Sequence, residues 1–399
     1  MDVEIPEDAV DEPPRFGLSE DQASALDQIF EWWDTARPGD YLTLGGYAGT
    51  GKSTLLRELL PMTRRIVHVC AYTGKAAHVL RSKGIEQART IHSLIYQPVT
   101  ICNLCGLPLD IDQEICLRME GCEGAGTERS FDRAIALKGD LIVVDEASMV
   151  STEIHEDLLS FEIPVLYVGD HGQLEPIGNN PRLMLDPKIR LEKIHRQAEG
   201  SPILQFAHHV RNHGRPVSTG HEARVIETSV APANAHEYDI VLVGKNATRV
   251  AMNQKIRAKL GYEGPLPHPG ERIVCLRNFK KESLFNGMLA TVLEIRCDDR
   301  VDVPEIDLID DDGKVRNRVK FEPEQFNSET VLEDVSRKRA LFDFGYALTV
   351  HKAQGSSWKR VLVLEWIHSD TSAARWRYTA ATRASEELVY CVSPRRKRR

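Results

Sequence analysis

The sequence predicts an α/β protein with two parallel-sheet domains, each interrupted by an insertion of its own character. Three observations carry this. Short apolar runs of strand length alternate with helical periodicities twice along the chain, before and after Pro202. A phosphate-loop pattern (Gly46, four residues, then Gly51-Lys52-Ser53) falls between the first apolar run and a helix. At 399 residues the chain exceeds what one core supports, so two or three domains are expected.

Residues 1–17 carry six acids and three prolines and read as a disordered tail. Ser19-Glu20-Asp21-Gln22 is a capping box, and Leu26, Ile29, Phe30 and Trp33 follow at helical spacing. Gln22 therefore has two roles open, the cap and a nucleotide contact. A first domain is expected over 18–197. Its strands are Tyr41 to Leu44, Arg65 to Ala71, Asp140 to Val144 and Pro164 to Val168, and a helix opening at Tyr72-Thr73-Gly74 ends near Gly84. A second domain, 198–394, repeats the pattern. Helices are expected from Ile203, from Ala247 to Leu260 and from Arg375 to Ala384, with strands at Asp239 to Val243, Tyr346 to Val350, Arg360 to Leu364 and Leu388 to Val392. Residues 262–342 change character: short strands at Arg272 to Leu276 and Leu289 to Ile295, an Asn286-Gly287 turn signal and an acidic stretch from Asp298 to Asp312 suggest an inserted small β-barrel or sheet. Residues 395–399 form a basic tail, solvated by default and weakly attractive to phosphate.

With 42% hydrophobic and 28% charged residues the chain reads as soluble and globular. It has no apolar run of membrane-spanning length, and its acidic first stretch is not a secretory leader, so a cytoplasmic or nucleoid-associated location is expected. The net charge of -8 argues against a uniformly basic nucleic-acid binder but leaves room for a local basic groove.

The phosphate loop supplies the first chemistry. Glycines, including Gly46, Gly49 and Gly51, let backbone N–H groups of the stretch through Thr50 and Thr54 turn inward around a polyphosphate; Lys52 reaches the β and γ phosphates and Ser53 a Mg²⁺ ion. The strand at Val143-Val144 ends in Asp145-Glu146, at the ligand edge of a parallel sheet. Asp145 suits the same Mg²⁺, and Glu146 suits the attacking water. Gln173, just past the next strand, can bridge γ-phosphate and water.

In their order, the segments GYAGTGKST, AYTGKAAHVL, RTIHSL, VVDEAS, GDHGQLEPIG, IHRQAEGSPI, YALTVHKAQGSSW and YTAATRA make the chain, from Leu18 to Val392, resemble a superfamily 1 DNA helicase of the RecD-like and Dda-like branch. The resemblance implies two RecA-like domains gripping ATP between them, an SH3-like β-barrel at 262–342, movement 5′ to 3′ on single-stranded DNA, and a monomeric motor working at forked DNA with replication or recombination proteins. It implies that Gln22 contacts adenine, that Gln173 couples the γ-phosphate to DNA, and that Arg196 and Arg383 are arginine fingers. It places DNA contacts at Thr73, Lys75, Thr90 and His92 in the first domain and at Thr349, His351, Lys352 and Gln354 in the second. Plainer readings stand beside these: Thr90 as a helix cap and His92 as a satisfied histidine. Two positions depart from the family pattern: Glu175, where a proline is usual, and Ser357, where an acid is common.

Between RTIHSL and VVDEAS, residues 93–137 occupy the place of a strand-separating pin and carry Cys102, Cys105, Cys116 and Cys122. Cys102 and Cys105 have metal-knuckle spacing and Gly106 permits the tight turn, so structural Zn²⁺ is expected, with free thiols or a redox or iron–sulfur role as alternatives. Functional alternatives to a helicase are a DNA-stimulated motor subunit of a recombination or nuclease complex, a P-loop small-molecule kinase, and a binding protein with a degenerate site. Intact Lys52, Asp145, Glu146, Gln173, Arg196 and Arg383 oppose the last.

Overall fold

The structure is a computed structural model, and it describes residues 17–102, 104–109, 115–116, 121–122, 124–175, 180–193, 200–228, 231–279, 282, 284–297, 303–311, 313–333, 339–366 and 373–392. Residues 1–16 of the expected acidic tail, the basic tail, Arg196 and Pro176 lie outside these.

The first domain is built on β1 (Tyr41–Gly46), β2 (Val67–Ala71) and β3 (Arg89–Thr90) before the cysteine-bearing insertion. The insertion adds β4 (Tyr96–Cys102), β5 (Pro108–Leu109), β6 (Ile115–Cys116) and β7 (Ala125–Arg133), after which β8 (Leu141–Asp145), β9 (Val165–Gly169) and β10 (Ile189–Leu191) complete the sheet. Its order is β10-β1-β9-β8-β2-β3, and every pairing is parallel. Parallel strands covered on both faces need apolar residues at successive positions, which is why Leu141–Val144 and Val165–Gly169 are buried throughout. The helix Glu20–Thr35 lies against this sheet and is pinned where the Trp33 indole N–H donates to the Asp140 carbonyl (2.9 Å).

The second domain repeats the design. Its strands are β11 (Ala223–Glu227), β12 (Ile240–Val243), then, after an intervening antiparallel insertion, β18 (Ala347–Thr349), β19 (Trp358–Leu364) and β20 (Ala384–Val392), ordered β11-β20-β19-β12-β18 and all parallel. The insertion holds β13 (Arg272–Cys275), β14 (Leu289–Arg296), β15 (Glu305–Asp310), β16 (Val315–Lys320) and β17 (Phe342–Phe344), ordered β16-β15-β14-β13-β17. It has its own core of Ile273, Ile306, Leu308, Val319, Phe321, Phe342 and Phe344. Three buried ion pairs reinforce it: Arg257–Glu271 at 2.7 Å, Arg316–Asp310 at 2.7 Å, and Arg249–Asp343. Arg249 and Arg257 stand on the helix Asn246–Lys259 of the second domain, so two of the pairs key the insertion to its host.

Two expectations change here. The last helix runs Ala373–Ala381 and not to Ala384, which opens β20. The acidic stretch from Asp298 to Asp312, taken as separating the insertion's strands, contains β15, in which Ile306, Leu308 and Asp310 alternate inward and the Asp310 carboxylate is paired with Arg316. Among the described residues no helix is long and apolar enough to cross a membrane.

Candidate active site

The phosphate loop leaves β1 and turns into the helix Lys52–Leu59. Gly49 (φ 86°) and Gly51 (φ 77°) take left-handed conformations that L side chains resist, and a Cβ on Gly46 would lie 2.5 Å from Thr50 Oγ1. Thr50 is fully buried and its hydroxyl donates to the Tyr47 carbonyl (2.9 Å). The Lys52 ammonium folds back onto the Gly46 and Tyr47 carbonyls at 2.5 and 3.0 Å. Gln22 performs the cap, its Oε1 accepting from the Ser19 amide (3.0 Å), and it does something more: its Nε2 donates to the Thr50 and Gly51 carbonyls at 3.3 and 3.2 Å. The Gln22 side chain is fully buried against the loop.

A cleft of about 530 Å³ opens over the loop and is lined by Gly49, Gly51, Lys52, Ser53, Thr54, Asp145, Glu146, Gln173 and, from the second domain, Arg383. Most of the expected nucleotide residues therefore converge. Burial pushes the carboxyls of both Asp145 and Glu146 up, and for Glu146 the neighbouring Asp145 adds to it. Glu146 carries two further marks of a working residue: a left-handed backbone (φ 54°) and a buried Oε2 with no partner. Arg383 is buried and donates to the carbonyls of Thr379 and Ser356 and to the Thr382 hydroxyl. Lining residues that sequence reasoning missed are Arg57, Lys83 and Asp170. Lys83 donates to Ser53 Oγ (3.3 Å), and only its place as the C-cap of the helix Gly74–Ser82, opposite the loop in space, brings it there.

The domains meet at the turn after β9. Thr379 Oγ1 accepts from the Leu174 amide (2.9 Å), Gln354 Nε2 donates to the Leu174 carbonyl (3.0 Å), and Arg375 pairs with Glu175 at 2.5 Å. The departure at Glu175 is thus an interdomain ion pair, and Gln354, expected on DNA, is buried against the first domain.

Of the other expected DNA residues, Thr73 and Thr90 both cap helices, accepting from the amides of Ala76 and Ser93 (3.1 Å each). His92 packs its ring 5.4 Å from that of Tyr96. The Lys75 ammonium lies 4.8 Å from the Trp358 ring centroid, across the domain boundary. Lys75 also lines a groove of about 520 Å³ with Arg81, Phe285, Arg316 and Ser357, between the first domain and the antiparallel insertion. Thr349 accepts from the Lys352 amide (3.4 Å). His351 is pushed down by burial, and Lys352 is lowered to about 8 by burial and then by Arg249.

In the cysteine insertion the four sulfurs of Cys102, Cys105, Cys116 and Cys122 lie within 4.8 Å of one another. Cys102 Sγ accepts the amides of Leu104 and Cys105 at 3.4 Å each, and Gly106 (φ 71°) closes the turn. Those amides, that of Cys105 first, bring the Cys102 thiol down to about 7, while burial and the adjacent thiols push Cys122 up to about 12. Four sulfurs around one Zn²⁺ at about 2.3 Å stand roughly 3.8 Å apart, so this donor set fits the ion.

Fold and cleft together define a two-domain P-loop nucleotide-binding protein. Residues 17–228 match the family described as AAA domain, and residues 344–391 match the UvrD-like helicase C-terminal domain. The chain belongs to this AAA-domain family. It is 31% identical over 95% of its length to the ATP-dependent RecD2 DNA helicase of Deinococcus radiodurans, and 25% identical over 93% to the conjugal transfer protein TraA of Rhizobium radiobacter. The chain spans half of the first of these and about a third of the second. Two solved structures share the fold: a Pif1 helicase from work on unwinding at forked DNA (TM-score 0.56, 18% identity, 94% of this chain and 92% of that one) and Bacteroides Pif1 bound to single-stranded DNA (TM-score 0.54, 18% identity, the same coverage).

Proposed function

We propose that the chain is an ATP-dependent DNA helicase or translocase that moves 5′ to 3′ on single-stranded DNA and opens forked duplexes. One observation carries the reading: Arg383 of the second domain lines the same cleft as Lys52, Asp145, Glu146 and Gln173 of the first. A site divided in this way completes its charge stabilisation only as the domains close, which ties hydrolysis to movement. Lys52 exchanges the Gly46 and Tyr47 carbonyls for the β and γ phosphates. Ser53 and Asp145 would hold Mg²⁺, which neutralises charge between the phosphates. Glu146 takes the proton of the attacking water through Oε2, and its raised pKa makes it a stronger base than an ordinary carboxylate. Gln173 orients that water, and Arg383, with Arg196, stabilises the charge that develops on the transferred phosphoryl. Gln22 reaches adenine after releasing Thr50 and Gly51.

DNA runs over Thr73, Lys75, Thr90 and His92 and on to Thr349, His351 and Lys352, which grip phosphate and sugar without reading bases. The antiparallel insertion acts as an SH3-like barrel, and the cysteine insertion as a Zn²⁺-clamped pin at the fork. The names of the Deinococcus and Bacteroides relatives support the activity. A soluble, cytosolic, monomeric motor working with replication or recombination proteins completes the proposal.

ATP hydrolysis should rise with single-stranded DNA, and Glu146→Gln should lower kcat at least about 100-fold. Forks with a 5′ tail should be opened in preference to those with a 3′ tail. Absence of DNA stimulation overturns the reading; stimulation without unwinding of either fork makes the chain a motor subunit instead.

A further inference from the structure

Tyr378 stands on the helix Ala373–Ala381 of the second domain, and its side chain is fully buried against the first. Its hydroxyl is shared between two groups there. It accepts from the backbone amide of Ala48 in the phosphate loop (2.8 Å) and donates to Asp170 Oδ2 (2.8 Å). The fit around it is close, since a Cβ on Gly172 would meet its ring at 2.8 Å. Asp170 in turn accepts from Gln173 Nε2 through the same Oδ2 (3.3 Å) and from the Gly172 amide through Oδ1 (2.8 Å).

This chain of bonds decides which way the Gln173 amide faces. An ionised carboxylate only accepts, so the end of Gln173 that meets Asp170 must be the NH₂ group. Among the described residues Oε1 is left buried and without a partner, in a residue that lines the nucleotide cleft. Gln173 lines the same cleft as Glu146, and once nucleotide and water fill that cleft an unpaired carbonyl oxygen there would be an acceptor for one proton of a water molecule whose other proton goes to the base. With the amide reversed, an N–H would face that water and oppose it.

We infer that Tyr378 is a positioning residue for hydrolysis: from the second domain it holds Asp170 so that Asp170 fixes the Gln173 amide with its oxygen toward the nucleotide. The inference rests on the hydrolysis role proposed above for Gln173. It gives the second domain a second hold on the site besides Arg383. Withdrawal of the helix would release the water-orienting oxygen at the same time as the guanidinium.

The test is a double-mutant cycle of Tyr378→Phe and Gln173→Ala, read as kcat and KM for ATP with and without single-stranded DNA. Tyr378→Phe keeps the ring and should lower kcat about tenfold, the loss of one orienting hydrogen bond, with KM changed less than twofold. The double variant should be no slower than Gln173→Ala alone, because the hydroxyl acts only through that amide. Asp170→Asn, which offers Gln173 an NH₂ group as well as an oxygen, should lower kcat at least as far. Retention of kcat within twofold in Tyr378→Phe, or effects of the two substitutions that multiply, overturns the inference. The wild-type protein separates this from the wider reading. If it hydrolyses ATP without DNA stimulation, the motor proposal fails while the cycle on basal hydrolysis still decides the role of Tyr378.

Discussion

The two insertions solve the same problem with opposite means. The antiparallel insertion of the second domain buries a core of aliphatic and phenylalanine side chains and is keyed to its host by the Arg249–Asp343 and Arg257–Glu271 pairs. In the cysteine insertion of the first domain, the described core consists of Leu109 and four cysteines. Its larger side chains face outward: Leu104 is 66% exposed and Ile115 48%. One element is therefore held by area removed from water; in the other, four converging sulfurs stand where an apolar core would, and a bound Zn²⁺ would hold it. The contrast teaches that the chain can afford a solvent-facing apolar tip only where something other than apolar burial fixes its shape.

The largest effect that would sharpen this contrast is metal removal. Purified protein should carry about one equivalent of Zn²⁺. Cys116→Ser should take it below a tenth of an equivalent and abolish amide protection across 96–133, as hydrogen exchange would show, while the second-domain insertion keeps its protection. Protection unchanged on loss of metal would break the comparison. Next comes Asp343→Ala, which leaves Arg249 buried without its carboxylate and should destabilise the protein by about 3–5 kcal/mol in urea unfolding; the zinc content should not change.

A smaller effect is a pH dependence beside the keyed insertion, where Lys352 sits close to Arg249 and Asp343. Its folded pKa, about 8, lies below the ordinary 10.5, so folding disfavours the charged form. The resulting penalty is fully present below pH 8 and is lifted as pH rises from about 8 toward the unfolded value, so stability contributed by this site rises over that window. Affinity for single-stranded DNA should fall over the same window as the ammonium is lost, and Lys352→Arg should remove the fall. A titration by fluorescence anisotropy checks both. The smallest effect is Leu104→Ser on the exposed knuckle, expected within about 0.5 kcal/mol in the same urea assay.

What the sequence made legible follows the same division between local and distant. The phosphate loop, the acids at the end of β8 and the interior parallel strands carry their signal in adjacent residues, and they stand where they were expected. The strand inside the acidic stretch was missed because the alternation of Glu305 to Leu308 is short, breaks at Ile309 and puts an acid, Asp310, at an inward position, so the count of acids around it prevailed. The edge strands β3, β10 and β11 are too short, or too polar on one face, to register as apolar runs. The roles of Lys83, Asp170 and Tyr378 come from contacts between segments far apart in the chain. Asp170 had one local hint, an acid three residues before Gln173 at a strand end. Tyr378 had only its place five residues before Arg383. Gln354 shows the reverse, since its motif suggested DNA and its amide is bonded to Leu174.

The hairpin of β4 and β7 has a further consequence, for the order in which the chain folds. β2 and β8 are neighbours in the sheet, yet the whole insertion lies between them. The hairpin pairs Tyr96 with Arg133, and the Ala134 amide reaches the Ile95 carbonyl (2.8 Å), which takes more than half of the intervening chain out of the loop that must close. By the logarithmic dependence of closure entropy on loop length, forming the hairpin first lowers the entropic barrier to joining β2 and β8 by up to about 1 kcal/mol. A metal held by the cysteines at its far end would thereby speed assembly of the nucleotide-binding sheet, an influence on the folding rate of a domain whose active site lies elsewhere.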